Sequence, residues 1–186
     1  MTRTLVLGGA RSGKSALAER LARESGKEVV YLATSYAGDC EMAARIAHHR
    51  ARRPAHWKTI EEATALAATL RELCAPGRLV LVDCLTLWLS NLMFASHQDN
   101  PDVGAIESPP LFLKERAALL AWLDQPSNGD VVFVSNEVGM GIVPMGAVSR
   151  AFVDEAGRLH QDVAARCERV LFIAAGLPLA LKGPAC

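Results

Sequence analysis

With 186 residues, the chain is long enough to bury one sizeable core and short for two, so one domain spanning residues 1–186 is expected. Hydrophobic residues make up 51% and charged residues 22%, which excludes a disordered chain. Lys and Arg number 20 against 20 Asp and Glu, so no global basic field would draw the protein to nucleic acid.

The N-terminal stretch Met1-Thr2-Arg3-Thr4-Leu5-Val6-Leu7 runs straight into glycines and leaves no apolar segment of signal-peptide length. A short apolar run, Thr4 to Leu7, reads as the first strand, and Lys14 to Glu24 as the first helix. A strand from Val29 to Ala33 follows, then helices from Glu41 to Arg53 and from Glu61 to Cys74. Leu79 to Asp83 reads as a strand and Leu85 to Ala95 as a helix. Ser96 to Pro110 collects Asp, Asn, Pro, Gly and Ser and reads as a surface loop. The remaining expectations are a helix from Leu111 to Leu123, a strand from Val131 to Ser135, a helix from Ala147 to Cys167 and a strand from Val170 to Ala174. The strand candidates are apolar throughout, without alternation, as in strands covered on both faces, and strand–helix alternation predicts an α/β fold with a mostly parallel sheet.

No stretch approaches the roughly 18 uninterrupted apolar residues of a membrane span. Cys40, Cys74, Cys84, Cys167 and Cys186 are scattered, with neither a C-x-x-C pair nor zinc-site spacing. Reduced thiols and a soluble, cytoplasmic protein are expected.

Gly8-Gly9-Ala10-Arg11-Ser12-Gly13-Lys14-Ser15 satisfies G-x-x-x-x-G-K-[ST], directly after the first strand and before the first helix. The glycines let successive N–H groups turn inward around phosphate oxygens. Lys14 is then expected on the β and γ phosphates, Ser15 on Mg²⁺, with the positive end of the helix dipole behind them. Asp83, closing a buried apolar strand, is the second candidate for holding Mg²⁺; the same carboxylate is also suited to capping the helix near Leu85. Together these features predict a P-loop NTPase (RecA-like) three-layer fold with a mostly parallel central sheet.

At about 100° per residue, Met42, Ile46 and His49 share one stripe of the helix Glu41 to Arg53, while Glu41, Arg45, His48 and Arg52 share another. A neutral imidazole can attack phosphorus, and flanking guanidinium groups stabilise phosphate charge. His48 stands with the arginines and is the candidate nucleophile; His49 reads as a packing or orienting residue. A solvated basic helix with chemically idle histidines fits the same periodicity, which does not overturn it. The cluster has no interleaved aromatics, so nucleic acid is not an expected partner.

Four stretches resemble the bifunctional adenosylcobinamide kinase/adenosylcobinamide-phosphate guanylyltransferase family. They are Gly8 to Ser15, Tyr31 to Ser35, Glu41-Met42-Ala43-Ala44-Arg45-Ile46-Ala47-His48-His49-Arg50 through Arg53-Pro54-Ala55-His56-Trp57, and Asn136 to Pro144. The first is generic to P-loops; the third and fourth are specific. The resemblance implies phosphorylation of adenosylcobinamide with ATP or GTP, then transfer of GMP from GTP, carried on a histidine, to give adenosylcobinamide-GDP. By position that histidine is His48. The resemblance further implies guanine-nucleotide contacts at Gly8 to Ser15, Thr34, Ser35, Tyr36, His49, Arg50, Ala51, Arg52, Glu61 and Asp83, and a homotrimer.

Glu61 opens the expected helix to Cys74, so it also reads as a helix-stabilising carboxylate. Asp83 stands where relatives often carry glutamate, and His160 where asparagine is expected; His160 reads as a helix residue, not a second nucleophile. Two other functions stay open on the residues: a single-function small-molecule kinase, and a GTP-binding regulatory module. The latter commonly carries N-K-x-D, which this chain lacks.

Overall fold

A computed structural model describes residues 2–35, 54–95, 106–126 and 128–184. The predicted helix from Glu41 to Arg53, and most of the loop from Ser96 to Pro110, lie outside the described residues.

In chain order the elements are β1 (Arg3–Gly8), α1 (Lys14–Glu24), β2 (Glu28–Ala33), β3 (Lys58–Glu61), α2 (Leu66–Leu73), β4 (Arg78–Asp83) and α3 (Leu85–Met93). Then come α4 (Pro110–Leu123), β5 (Asp130–Asn136), α5 (Ala147–Arg166), β6 (Arg169–Ala174) and β7 (Leu177–Lys182). All strands join one seven-stranded sheet in the order β3-β2-β4-β5-β1-β6-β7. Pairing is parallel except between β6 and β7.

Each central strand feeds two cores, which is why its sequence shows no polar alternation. On one face Leu5, Leu32, Val80, Val82 and Phe133 pack with Leu70 of α2, Trp88 of α3, Phe112 of α4 and Leu159 of α5. On the other, Val6, Tyr31, Leu81, Val132 and Val134 pack with Leu17, Ala18 and Ala22 of α1. Burying a side chain as large as Phe133 stabilises by roughly 1.5–3 kcal/mol, so the two clusters hold the sheet between its helical layers. Trp88 keeps its polar atom satisfied, its indole N–H donating to the Thr64 carbonyl at 2.7 Å.

Two strands escape the sequence pattern. β3 is a four-residue edge strand, Lys58-Thr59-Ile60-Glu61, too short and too polar to register as an apolar run. β7 contains Pro178, which is tolerated because the strand lies at an edge. The helix expected to open at Glu61 starts instead at Leu66. Glu61 ends β3, and the neighbouring Glu62 serves the helix start: its Oε1 accepts the amides of Thr64 and Ala65, each at 2.8 Å.

Candidate functional site

The carboxyl ends of β1, β5, β4, β2 and β3 form one edge, and those sequence-predicted residues that the structure describes, Gly8 to Ser15, Thr34, Ser35, Glu61 and Asp83, lie along it. Gly8, the last residue of β1, has no room for a side chain: a Cβ would lie 2.4 Å from the Ile173 carbonyl oxygen and 2.7 Å from Ser12 Oγ. Gly13, at φ 102°, turns the chain into α1 from a conformation that side chains rarely adopt. Between them Arg11 also has positive φ (55°), and the Ser12 carbonyl accepts the amide of Gly176 at 2.9 Å. The loop from Gly8 to Ser15, including Gly9, Ala10 and Ser12, is thus pinned by the end of β6 and the β6–β7 turn. Gly8→Ala is expected to destabilise the fold by about 1–3 kcal/mol, because the obstructing atom is backbone. Thermal melting checks this; an unchanged midpoint would mean that β6 yields without cost.

Lys14 is the first residue of α1, and its ammonium donates to the Gly9 carbonyl at 2.6 Å. Burial lowers its pKa below the usual lysine value, opposed by the charge of neighbouring Asp83. Ser15, one residue on, donates through Oγ to Asp83 Oδ2 at 3.2 Å. The same carboxylate oxygen accepts the Tyr31 hydroxyl at 2.7 Å. Asp83 therefore does not cap the next helix: α3 has Cys84 at its N-cap position and no side-chain cap bond. The Cys84 thiol is buried, which pushes its pKa up to about 12 and keeps it neutral beside Asp83.

Thr34 is fully buried, its hydroxyl accepting the Cys84 amide at 2.8 Å and donating to the Cys84 carbonyl at 2.7 Å. That hydroxyl braces the turn after Asp83. Ser35 is half-buried two residues beyond the end of β2, and Glu61 is exposed at the end of β3. Glu61 and Gly8 close strands four places apart in the sheet, about 19 Å at the usual strand spacing. Tyr36, His48, His49, Arg50, Ala51 and Arg52 lie outside the described residues. Tyr31 was missed as a site residue, although one tyrosine in an otherwise apolar strand signals a hydroxyl that needs a partner.

The site thus sets a glycine loop, a lysine and a hydroxyl–carboxylate pair at the head of a helix, an arrangement able to hold a nucleotide's phosphates. The family model described as cobinamide kinase / cobinamide phosphate guanyltransferase matches residues 4–181. The chain belongs to this family. Relatives of this cobinamide kinase/guanyltransferase are similar over nearly their whole length. Identity is 58% with the bifunctional adenosylcobalamin biosynthesis protein CobP of Pseudomonas aeruginosa, over 97% of this chain and 98% of that one. It is 41% with the corresponding protein CobU of Escherichia coli, over 96% and 98%. Among solved structures, an ATPase from a bacterial type III secretion system is similar with a TM-score of 0.57 at 14% identity, covering 96% of this chain and 56% of that one. That likeness is one of fold, and the fold is that of the P-loop NTPases. The cobinamide kinase/guanyltransferase family is an enzyme family, and nothing in these comparisons supports a single-function kinase or a regulatory module.

Proposed function

We propose that the chain phosphorylates adenosylcobinamide with ATP or GTP at the loop Gly8 to Ser15, then transfers GMP from GTP through His48 to the new phosphate, forming adenosylcobinamide-GDP. The observation that carries this reading is the cluster of Lys14, Ser15, Asp83 and Tyr31 behind the loop, in a chain of this family. Ser15 Oγ and Asp83 Oδ2, both hard oxygen donors 3.2 Å apart, fit Mg²⁺. Among the described residues no group of three or more His, Cys, Asp or Glu stands ready to cage a metal, so the cation would share phosphate oxygens and water. Bound there, Mg²⁺ would offset phosphate charge.

In the kinase step Lys14 leaves the Gly9 carbonyl for the β and γ phosphates, and the loop amides orient them in line with the substrate hydroxyl. The hydroxyl oxygen bonds to the γ phosphorus, the nucleoside diphosphate leaves with the electron pair, and the hydroxyl proton is released. In the second step a neutral His48 nitrogen bonds to the α phosphorus of GTP and pyrophosphate departs. A phosphate oxygen of the corrinoid then displaces the imidazole, breaking the P–N bond. Arg45, Arg50 and Arg52 are the proposed partners of the transferred phosphate, with Thr34, Ser35, Tyr36, His49, Ala51 and Glu61 at the guanine nucleotide.

After β5 the chain leaves Met140, Ile142, Val143 and Met145 largely exposed, next to the strand end where the Glu137 amide donates to the Gly8 carbonyl at 2.9 Å. An apolar surface beside the phosphates suits a corrinoid macrocycle. We further propose one functional domain over residues 1–186, a homotrimer and a cytoplasmic location; no helix of the described residues is long and apolar enough to cross a membrane. The test is a coupled assay with adenosylcobinamide, ATP and GTP that follows the phosphate and GDP adducts separately. Formation of the phosphate without the GDP adduct would reduce the enzyme to a kinase.

A further inference from the structure

Three polar side chains are buried beneath the carboxyl edge of the central strand, apart from the loop and Asp83. Ser135 of β5 has no exposed surface, Thr86 of α3 is 8% exposed and His160 of α5 is 6% exposed. His160 Nε2 lies 2.7 Å from Ser135 Oγ, which lies 2.9 Å from Thr86 Oγ1. Thr86 Oγ1 in turn accepts the backbone N–H of Asn136 at 2.6 Å. The hydrogens can run in one direction along the whole chain of bonds, towards the imidazole. Thr86 donates to Ser135, Ser135 donates to Nε2, and the imidazole is neutral with its proton on Nδ1. Nδ1 faces the Glu137 carboxylate at 3.8 Å, which favours the proton on that nitrogen.

The chain of bonds ends where β5 meets the phosphate loop. Asn136 is in register with Gly8, and the next amide, that of Glu137, donates to the Gly8 carbonyl. β5 lies between the strand that leads into the loop and the strand that ends in Asp83. Along β5, Val132 and Val134 pack on the α1 face, so alternation sets Asn136 on that face, from which Lys14 and Ser15 rise. No described residue hydrogen-bonds its carboxamide.

We propose that Asn136 touches the transferring phosphate or the attacking hydroxyl, and that His160 is a positioning residue that fixes Asn136 through Ser135 and Thr86. This rests on the reading that the kinase step takes place at Gly8 to Ser15. The device needs a neutral imidazole, since an imidazolium would turn Nε2 into a donor and reverse the hydroxyls. Burial already lowers the His160 pKa, against the opposing charge of Glu137. Across the groove that His160 lines, the Lys182 ammonium is turned to the carbonyls of Ala164 and Ala165. Because the folded pKa is depressed, neutral His160 contributes its stability in full above the free imidazole range. That contribution is lost as pH falls through the folded value.

The experiment compares wild type with H160Q, H160L, N136A and K14A, measuring kcat and KM for ATP in the kinase reaction from pH 5 to 8, with thermal melts alongside. N136A and H160L should lose on the order of tenfold or more in kcat with KM for ATP within about twofold, as expected of misplacement and not of lost binding. In H160Q, whose amide can reach Ser135 without titrating, kcat should return to within about threefold of wild type and fall less steeply towards pH 5. An H160Q profile identical to wild type, or an H160L variant that folds and keeps its kcat, would overturn the role of His160. A K14A enzyme with full kinase activity would overturn the phosphate-loop reading beneath it, whereas loss in K14A alone would leave that reading standing and remove the inference.

Discussion

Lys14→Ala should lower kcat/KM of the kinase step by on the order of 10²–10³-fold, the cost of removing one charged group from a phosphoryl-transfer site. The side chain is buried and already bonded to its own loop through the Gly9 carbonyl, so its charge is held within reach of phosphates at little further ordering cost. Alanine is well tolerated at a first helical position, so the melting temperature should change little and the loss should belong to chemistry. Initial rates of both transfers, measured on one preparation, make the result informative in a second way. If Gly8 to Ser15 holds GTP in the guanylyl step too, both rates fall together. Loss of the kinase alone would show that the second nucleotide lies elsewhere along the edge, towards Glu61, about four strand spacings from Gly8.

His48→Ala is expected to abolish covalent labelling by GTP carrying labelled α-phosphate and to slow guanylyl transfer by on the order of 10³-fold or more, while phosphorylation of adenosylcobinamide continues. The wild-type label should be acid-labile and base-stable, as a phosphoramidate is. Alanine would remove the proposed nucleophile and leave the residues Gly8 to Ser15 unchanged, so the two activities should separate. Full guanylyl transfer by the variant would remove His48 from the mechanism, and transfer of the label to His49 would shift the role by one residue.

The central strands and the phosphate loop were legible because several local signals coincide there. Branched apolar runs mark β1, β2, β4, β5 and β6, and G-x-x-x-x-G-K-[ST] falls at the one strand–helix junction where it has meaning. The edges were harder to read. β3 alternates over four residues, and β7 carries Pro178; both are half-solvated and lack the apolar continuity of the centre. Glu61 was assigned to a helix because a carboxylate ahead of an apolar period resembles a helix start; Glu62 fills that part, one residue on. Asp83 was named as a candidate ligand, but its bond to Tyr31 depends on the parallel pairing of β2 with β4, which no spacing in the chain encodes. Thr34 was placed at the correct edge, and only its packing against Cys84 reveals that its hydroxyl is spent on the backbone.

β1, which leads into the phosphate loop, is central in the sheet, yet its neighbours β5 and β6 both come from the second half of the chain. The Ser12 carbonyl is held by Gly176 in the β6–β7 turn, where Ala175 and Gly176 both have positive φ. The motif therefore precedes in the chain every strand that flanks it and the turn whose Gly176 amide holds its Ser12 carbonyl. A chain cut before β6 would keep the sequence of the motif and lose both a flanking strand of β1 and the bond from Gly176 that pins the loop.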